Sequence, residues 1–277
     1  MSAPSTADLD GGRRGGAPPV PAHHPGAISS RDLLLTMIER KIRLRTKRTW
    51  IGTIWPIIAP VFLFALYVYV FHTVFRVPQP RYGLYLFIGL LPWTFLAQTL
   101  SDAMLSMSSE AVLIRRSAFR HEVLPIASVV TMSLYFLVTL GALIVYLGAS
   151  GQLHAALLPL LVVPVLSLYL LVGALATVLA LIDVYNRDLR QLLSNVLTVW
   201  FFLVPIVYRQ HMVAGQLQFL RSVDPVAMIV GEFRQILFYG RVTEPSHAGY
   251  VVAICAACFA GAVALVRRSS RHLAKDV

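Results

Sequence analysis

Charge is what this sequence lacks most. Only 13% of its 277 residues are charged, whereas 57% are hydrophobic, and the mean hydropathy is +0.70. A soluble domain of this size carries roughly 25% charged residues, because it must cover its surface with groups that water solvates. The composition therefore excludes an ordinary soluble protein and indicates that lipid is the solvent for most of the chain.

Cysteine is scarce as well. The two cysteines, Cys255 and Cys258, form a CxxC inside an apolar segment. No other Cys or His lies near them in the sequence to complete a four-ligand zinc site, and no βαβ pattern surrounds them to support redox chemistry. We interpret them as small packing residues, and the sequence predicts no metal site.

What the sequence does contain is a series of long uncharged runs. The longest lies between Glu122 and Asp183 and has 60 residues, whereas about 20 apolar residues suffice for one helical span. The turn-forming residues at 148–152 divide this run into two. All the runs are apolar on every side, unlike the alternating strands of a membrane barrel. We predict an all-α polytopic membrane protein with six spans, at about 50–75, 82–101, 123–149, 156–182, 190–208 and 247–266.

The basic residues predict the orientation of these spans. Nine precede the first span, three lie at 106–122, two at 183–190 and four after residue 266, whereas the loops on the other side contain six. The positive-inside rule then places both termini in the cytoplasm of a bacterial cell, with the spans in its inner membrane. The basic charge is explained by topology and anionic lipid, so no nucleic-acid partner is predicted.

The segments outside the spans divide the chain further. Residues 1–27 are rich in Gly and Pro and contain no apolar region, which predicts a disordered tail and no signal peptide. Residues 28–48 have one apolar face and predict an amphipathic helix at the inner membrane surface, ahead of a transmembrane domain at 49–268. Residues 269–277 would form a cytoplasmic tail. Residues 209–246 are too charged to span and predict short helices in the outer leaflet that could form an outer gate.

Three basic residues, Arg45, Lys47 and Arg48, lie just before the first span. They are explained by the positive-inside rule, and a sharper hypothesis is that they hold the phosphate of a lipid-linked substrate on entry.

Aromatic residues recur every seven positions along one side of the first span, and other aromatics occupy the opposite side. Core packing and interfacial belts explain most of them. A sugar transporter would also use such rings, because they stack on the apolar faces of pyranose rings. The candidate channel aromatics are Trp55, Phe62, Tyr69, Trp200 and Tyr208.

The motifs along the chain resemble those of the polysaccharide-exporting type-2 ABC permeases, the Wzm-like group that moves O-antigen, teichoic acid and galactan-type chains. Six motifs occur in the family's order. They are Gly52, Trp55 and Pro60 at the entry to the first span, Gly-Leu-Leu-Pro-Trp-Thr-Phe at 89–95, the segment 112–125, Arg187-Asp188 after the fourth span, Pro-Ile-Val-Tyr at 205–208 and Asp224-Pro225.

The resemblance implies a half-channel that forms a homodimer and binds two copies of a separate ATPase subunit. The chain has no GxxxxGK[ST] loop, so ATP and Mg would be bound by that partner and this chain would hold no cofactor. The contact with the partner would be a cytoplasmic coupling helix containing Glu110, Leu113, Ile114, Arg115, Arg116 and Phe119.

The charges at 183–190 form a further candidate cluster, at the inner boundary of the membrane. A structural ion pair is the favoured role for Asp183, Arg187, Asp188 and Arg190.

Three functions therefore follow from the sequence as hypotheses. The first is the permease subunit of an ATP-driven exporter for a lipid-linked polysaccharide. The second, within the same fold, is an exporter of drugs or small lipids. The third is a membrane-embedded transferase, which would need converging acid, base or metal-binding groups. No predicted span carries a pair of carboxylates, so the transferase is the weakest of the three and we predict no catalytic residue.

Overall fold

A computed structural model describes residues 30–46, 81–109, 123–185, 188–208 and 223–273, together with 58, 62, 64–66, 69, 70 and 73. Throughout these ranges the ordered elements are helices, and none of the residues described is in a strand. The prediction of an all-α protein is therefore confirmed. The helices are α1 (Ser30–Thr46), α2 (Tyr82–Ser109), α3 (Val123–Ala149), a 3-10 helix (Ala155–Leu161), α4 (Val162–Tyr185), α5 (Leu189–Leu203), α6 (Pro225–Leu237) and α7 (Pro245–Leu273).

Four stretches of helix are long and apolar enough to cross a membrane, counting only residues the structure describes. They are Tyr82–Ser106, Leu124–Ala149, Ala155–Asp183 and Pro245–Val266. They correspond to the predicted second, third, fourth and sixth spans, which establishes a multi-pass membrane protein. Most of the predicted first span, 50–75, lies outside the described residues, and α5 is a shorter apolar helix of 15 residues. The count of six spans stays a prediction.

The fifth predicted span, 190–208, is only partly helical. Helix α5 ends at Leu203, and Val204 has extended backbone with φ −70° and ψ 131°. The cause is Pro205, because a proline ring clashes with a helical conformation at the residue before it. Residues 204–208 therefore continue α5 as irregular backbone.

Contacts at the helix ends show that α2, α3 and α4 run antiparallel to their neighbours. At one end, which we call the Arg81 end, Arg81 Nη1 donates to Gln152 Oε1 at 2.9 Å, which joins the start of α2 to the turn after α3. At the other, which we call the Asp102 end, Lys41 Nζ of α1 donates to Asp102 Oδ2 and to Ser128 Oγ, each at 2.6 Å. Helix α1 is thereby attached to α2 and α3, and its apolar residues pack beside Ala180 near the end of α4.

Helix α6 is inserted among the longer helices at the Arg81 end. It packs against α2, α4, α7 and the 3-10 helix, and ten of its 13 residues are buried. Phe233 contributes a ring to the core, edge-on to Phe136 of α3 with centroids 6.3 Å apart. A short helix at this depth is tolerated because protein surrounds its backbone.

Candidate functional site

The irregular segment 204–208 is buried at its start, and its carbonyl groups are bonded to side chains. Val204, Pro205 and Ile206 have almost no exposed surface. Carbonyl groups removed from water must find donors, and no helix supplies them here. Four consecutive carbonyls accept from side chains: Pro205 O from Arg234 Nη1, Ile206 O from Arg234 Nη2 at 2.7 Å, Val207 O from the Tyr82 hydroxyl, and Tyr208 O from the Tyr85 hydroxyl at 3.5 Å.

Arg234 of α6 is the centre of this arrangement. Its side chain is 2% exposed, and its guanidinium lies over the Tyr85 ring with Cζ 3.7 Å from the centroid. The Nε group also donates to the carbonyl oxygen of Tyr85 at 3.4 Å. Burial lowers the pKa of Arg234 to about 10, so the group is still a cation at neutral pH. A charge at this depth is stabilised here by carbonyl dipoles and a ring face.

Gly89 of α2 leaves the space that the guanidinium occupies. A Cβ atom built on Gly89 would lie 2.5 Å from Arg234 Nη2 and 3.2 Å from Cζ. Real Cβ atoms do not approach other atoms so closely, so any larger residue would displace Arg234. Glycine at 89 therefore allows the guanidinium to take this position, and no special backbone angle is involved.

Two residues before Arg234, helix α6 carries a second buried charge, Glu232. Its side chain is 2% exposed, and neither carboxyl oxygen has a hydrogen-bond partner among the described residues. Nδ1 of His247, at the start of α7, lies 3.7 Å from Oε1. This distance is too long for a hydrogen bond. Burial raises the pKa of Glu232 to about 7.

The start of α6 is fixed by Asp224 and Trp200. Asp224 is the N-cap residue, and its carboxylate accepts from the Val226 amide at 2.8 Å, with Pro225 in the first helical position. The same carboxylate accepts from Trp200 Nε1 of α5 at 2.8 Å. Burial raises the pKa of Asp224, and these two hydrogen bonds oppose the shift. One carboxylate thus caps α6 and joins it to α5.

We expect Asp224→Ala to destabilise the protein by about 2–3 kcal/mol, because it removes an N-cap and leaves the Trp200 indole N–H without its acceptor. Asp224→Asn keeps an acceptor oxygen and should cost less. Thermal unfolding of the purified variants in detergent measures the difference. Equal stability of the Ala and Asn variants would contradict this role for the side chain.

The candidate channel aromatics occupy different positions. Phe62 and Tyr69 are 67% and 60% exposed, whereas Phe64, on the opposite side of that segment, packs on Phe87 with centroids 4.8 Å apart. Trp200 contacts Trp93 edge-on at 5.9 Å in addition to Asp224. The Tyr208 hydroxyl donates to the Phe202 and Leu203 carbonyls at the end of α5. Trp55 lies outside the described residues.

At the Asp102 end, Asp183 and Arg190 form a bidentate ion pair across the turn between α4 and α5. Arg190 Nε and Nη2 donate to the two carboxylate oxygens, each at 2.7 Å, and the Asp183 side chain is fully buried. Asp188 is exposed at the start of α5. Arg187 lies outside the described residues.

The other predicted site residues cannot be placed in the same way. All the proposed coupling residues, Glu110, Leu113, Ile114, Arg115, Arg116 and Phe119, lie outside the described residues, as do Lys47 and Arg48. Arg45 lies in the last turn of α1. No three His, Cys, Asp or Glu side chains in the described ranges come together as a metal site would require.

Arg234, Glu232, Tyr82 and Tyr85 were not predicted from the sequence as site residues, and Gly89 was named only as the first residue of the motif at 89–95. One signal was available, because Glu232 and Arg234 are flanked by Val226–Val230 on one side and Ile236–Phe238 on the other. Charges within a short apolar helix indicate buried polar contacts. The hydrogen-bond partners of Arg234 are 28 to 149 residues away, so its contacts could not be predicted.

Fold and site together define a multi-pass helical membrane protein whose buried polar groups stabilise helix contacts. The chain is 28% identical over 219 residues to the O-antigen export system permease protein RfbA of Myxococcus xanthus, covering 77% of this chain and 83% of that protein. It is 25% identical over 211 residues to the O-antigen export system permease protein RfbA of Klebsiella pneumoniae, covering 76% and 81%. No family model matches the chain. These similarities confirm the resemblance stated from the motifs, and they group the chain with transporters rather than enzymes.

Proposed function

We propose that the chain is the permease subunit of an ATP-driven exporter that moves a lipid-linked polysaccharide across the cytoplasmic membrane. The observation that carries this proposal is the similarity to O-antigen export system permeases, which extends over three quarters of this chain. The apolar helices agree with a permease. The alternative, an exporter of drugs or small lipids, has no comparable support.

Energy for export would come from an ATPase partner, because the chain has no phosphate-binding loop of its own. We propose that two copies of that subunit bind ATP and Mg and contact the segment 110–122. This segment joins α2 to α3 at the Asp102 end. Helix α1 and the Asp183–Arg190 pair lie at the same end, and the positive-inside rule would place it in the cytoplasm together with both termini.

The polysaccharide path would lie between two copies of the chain. Exposed apolar residues on the outward faces of the described helices support this proposal, since they need either lipid or a second copy against them. Phe62 and Tyr69 belong to these faces, and so do Val199 and Phe202 of α5. Arg45, in the last turn of α1, would receive the phosphate of the lipid carrier together with Lys47 and Arg48.

Copurification tests the partner. We expect the chain to copurify with its cognate nucleotide-binding protein, to show no ATP hydrolysis alone, and to lose the complex when Leu113 and Phe119 are both changed to Asp. Arg241→Met, at the Arg81 end, is the control and should keep the complex. Absence of any nucleotide-binding partner for the unmodified chain would overturn the proposal.

Depletion tests the substrate. When the chain is depleted from cells, a lipid-linked glycan should accumulate on the cytoplasmic side of the membrane. Sensitivity to small toxic compounds without any glycan accumulation would favour the drug or small-lipid exporter instead.

A further inference from the structure

The side chains that bond to residues 205–208 join three helices at one point. Arg234, Tyr82, Tyr85 and Gly89 are here called the clamp. Tyr82, Tyr85 and Gly89 belong to α2, Arg234 belongs to α6, and the carbonyls they hold continue α5. The guanidinium contacts all three elements, because it donates to the 205 and 206 carbonyls and lies on the Tyr85 ring.

Helices α5 and α6 are joined at two places that are ten residues apart on α6. The first is at the start of α6, where Asp224 accepts from Trp200 of α5. The second is in its last turn, where Arg234 donates to the carbonyls that follow α5. Because α6 is attached to α5 at both of these places, it cannot rotate about one attachment without breaking the other. Helix α6 and the end of α5 are therefore expected to move together as one unit.

This unit meets α2 through few polar contacts. Near the start of α6 the Trp93 ring of α2 contacts Trp200 and Phe201 of α5, and ring contacts of this kind can slide. Near its last turn the contacts are directional, because Arg234 donates to the Tyr85 carbonyl and the Tyr82 and Tyr85 hydroxyls donate to the Val207 and Tyr208 carbonyls. Arg234 Nη2 also occupies the space above Gly89. Separation of the unit from α2 at the Arg81 end requires the guanidinium to leave Tyr85 and the two tyrosine hydroxyls to leave the Val207 and Tyr208 carbonyls.

The partners of Arg234 are suited to a contact that forms and breaks. Within the part of the chain that the structure describes, the hydrogen-bond acceptors of Arg234 are backbone carbonyls, so the guanidinium can leave them without abandoning a buried carboxylate there. Its planar fork reaches three carbonyls and a ring at once, which a lysine ammonium cannot do.

We infer that Arg234 is a positioning residue for transport, which holds α6 and the end of α5 as one unit against α2 and must leave Tyr85 when the Arg81 end opens. This inference rests on the proposed function. The role is separate from ATP binding, because the clamp is at the opposite end from the segment proposed to contact the ATPase.

The test compares variants in the complex of the full chain with its ATPase partner, measuring ATP hydrolysis and the glycan exported per ATP hydrolysed. We expect Arg234→Met to assemble and hydrolyse ATP within about twofold of wild type, with export per ATP reduced about tenfold or more. Arg234→Lys should give an intermediate value. The control is Arg241→Met, which removes an exposed arginine just after the same helix and should behave as wild type.

A second variant displaces the guanidinium without removing it. Gly89→Ala inserts a Cβ atom 2.5 Å from Nη2, and it should lower export per ATP as Arg234→Met does. Its control is Gly141→Ala, because a Cβ atom at 141 meets nothing within 4 Å. If Arg234→Met does not accumulate in the membrane, Gly89→Ala and Arg234→Lys decide the question.

Three results would overturn the inference. Wild-type export per ATP in assembled Arg234 and Gly89 variants would show that the clamp does not affect transport, while the proposed function would stand. If the variants lose protein, ATP hydrolysis and export in equal proportion, Arg234 serves folding alone. The same conclusion follows if no clamp variant accumulates in the membrane. A wild-type complex that exports no glycan would instead overturn the proposed function, and this inference with it.

Discussion

Arg190→Leu should lower the unfolding temperature of the protein by a large amount. Both oxygens of Asp183 accept from Arg190, and the Asp183 side chain is fully buried. Removal of the arginine leaves a buried carboxylate without its partner, which costs about 3–5 kcal/mol in measured cases. Thermal unfolding in detergent and the amount of protein in the membrane both report this loss.

A double variant distinguishes the destabilisation caused by an unpaired Asp183 from the net contribution of the ion pair to stability. Asp183→Leu with Arg190→Leu removes both charges and should recover most of the stability, because a buried ion pair and an apolar pair are often equivalent. Arg268→Leu, which removes an exposed arginine from α7, is the control. The prediction is wrong if Arg190→Leu and Arg268→Leu unfold at the same temperature.

Glu232→Gln should stabilise the protein at about pH 8 and change little at about pH 5. Burial raises the pKa of Glu232 to about 7 from a usual value of 4.5, so the folded state keeps a proton that the unfolded state has released. At a pH below the pKa of Glu232 in the unfolded state, both the folded and the unfolded protein hold the proton, and no stability is lost. As the pH rises from 4.5 to about 7, the wild type progressively loses stability. Above that range the total loss reaches up to about 3 kcal/mol.

Glutamine has nearly the shape of protonated glutamate and does not titrate, so the gap between variant and wild type should grow from low to high pH. Unfolding measured at several pH values gives this gap directly. Glu244→Gln is the matched control, because Glu244 is exposed in the loop before α7. A gap that does not change with pH would show that the Glu232 carboxyl titrates normally.

Most helices could be predicted from the apolar runs alone. The predicted span 123–149 coincides with α3, and the three other spans that the structure shows begin within two residues of their predicted starts. The ends were less predictable. Helix α2 continues to Ser109 instead of ending near 101, and α5 stops at Leu203 although its apolar run continues. Pro205 explains the second difference, since hydropathy takes no account of proline's effect on the preceding residue.

The candidate site was less accessible to sequence reasoning than the fold. Asp183 and Arg190 are seven residues apart, so a charge cluster there could be predicted from spacing. The partners Lys41 and Asp102 are 61 residues apart, and Arg234 and Tyr85 are 149 apart. Nothing in the sequence connected these residues, because the members of each pair lie in different helices.

The sequence by itself determined the solvent of this protein, the helical form of its spans and its resemblance to polysaccharide-export permeases. These properties depend on local composition and on motif order, which are read along the chain. Only the tertiary structure decided that Arg234 lies on Tyr85 above Gly89, and that Glu232 is buried without a hydrogen bond in the part of the chain described. The reason is that the partner of a buried charge is set by which helices meet in space, and hydropathy contains no information about that.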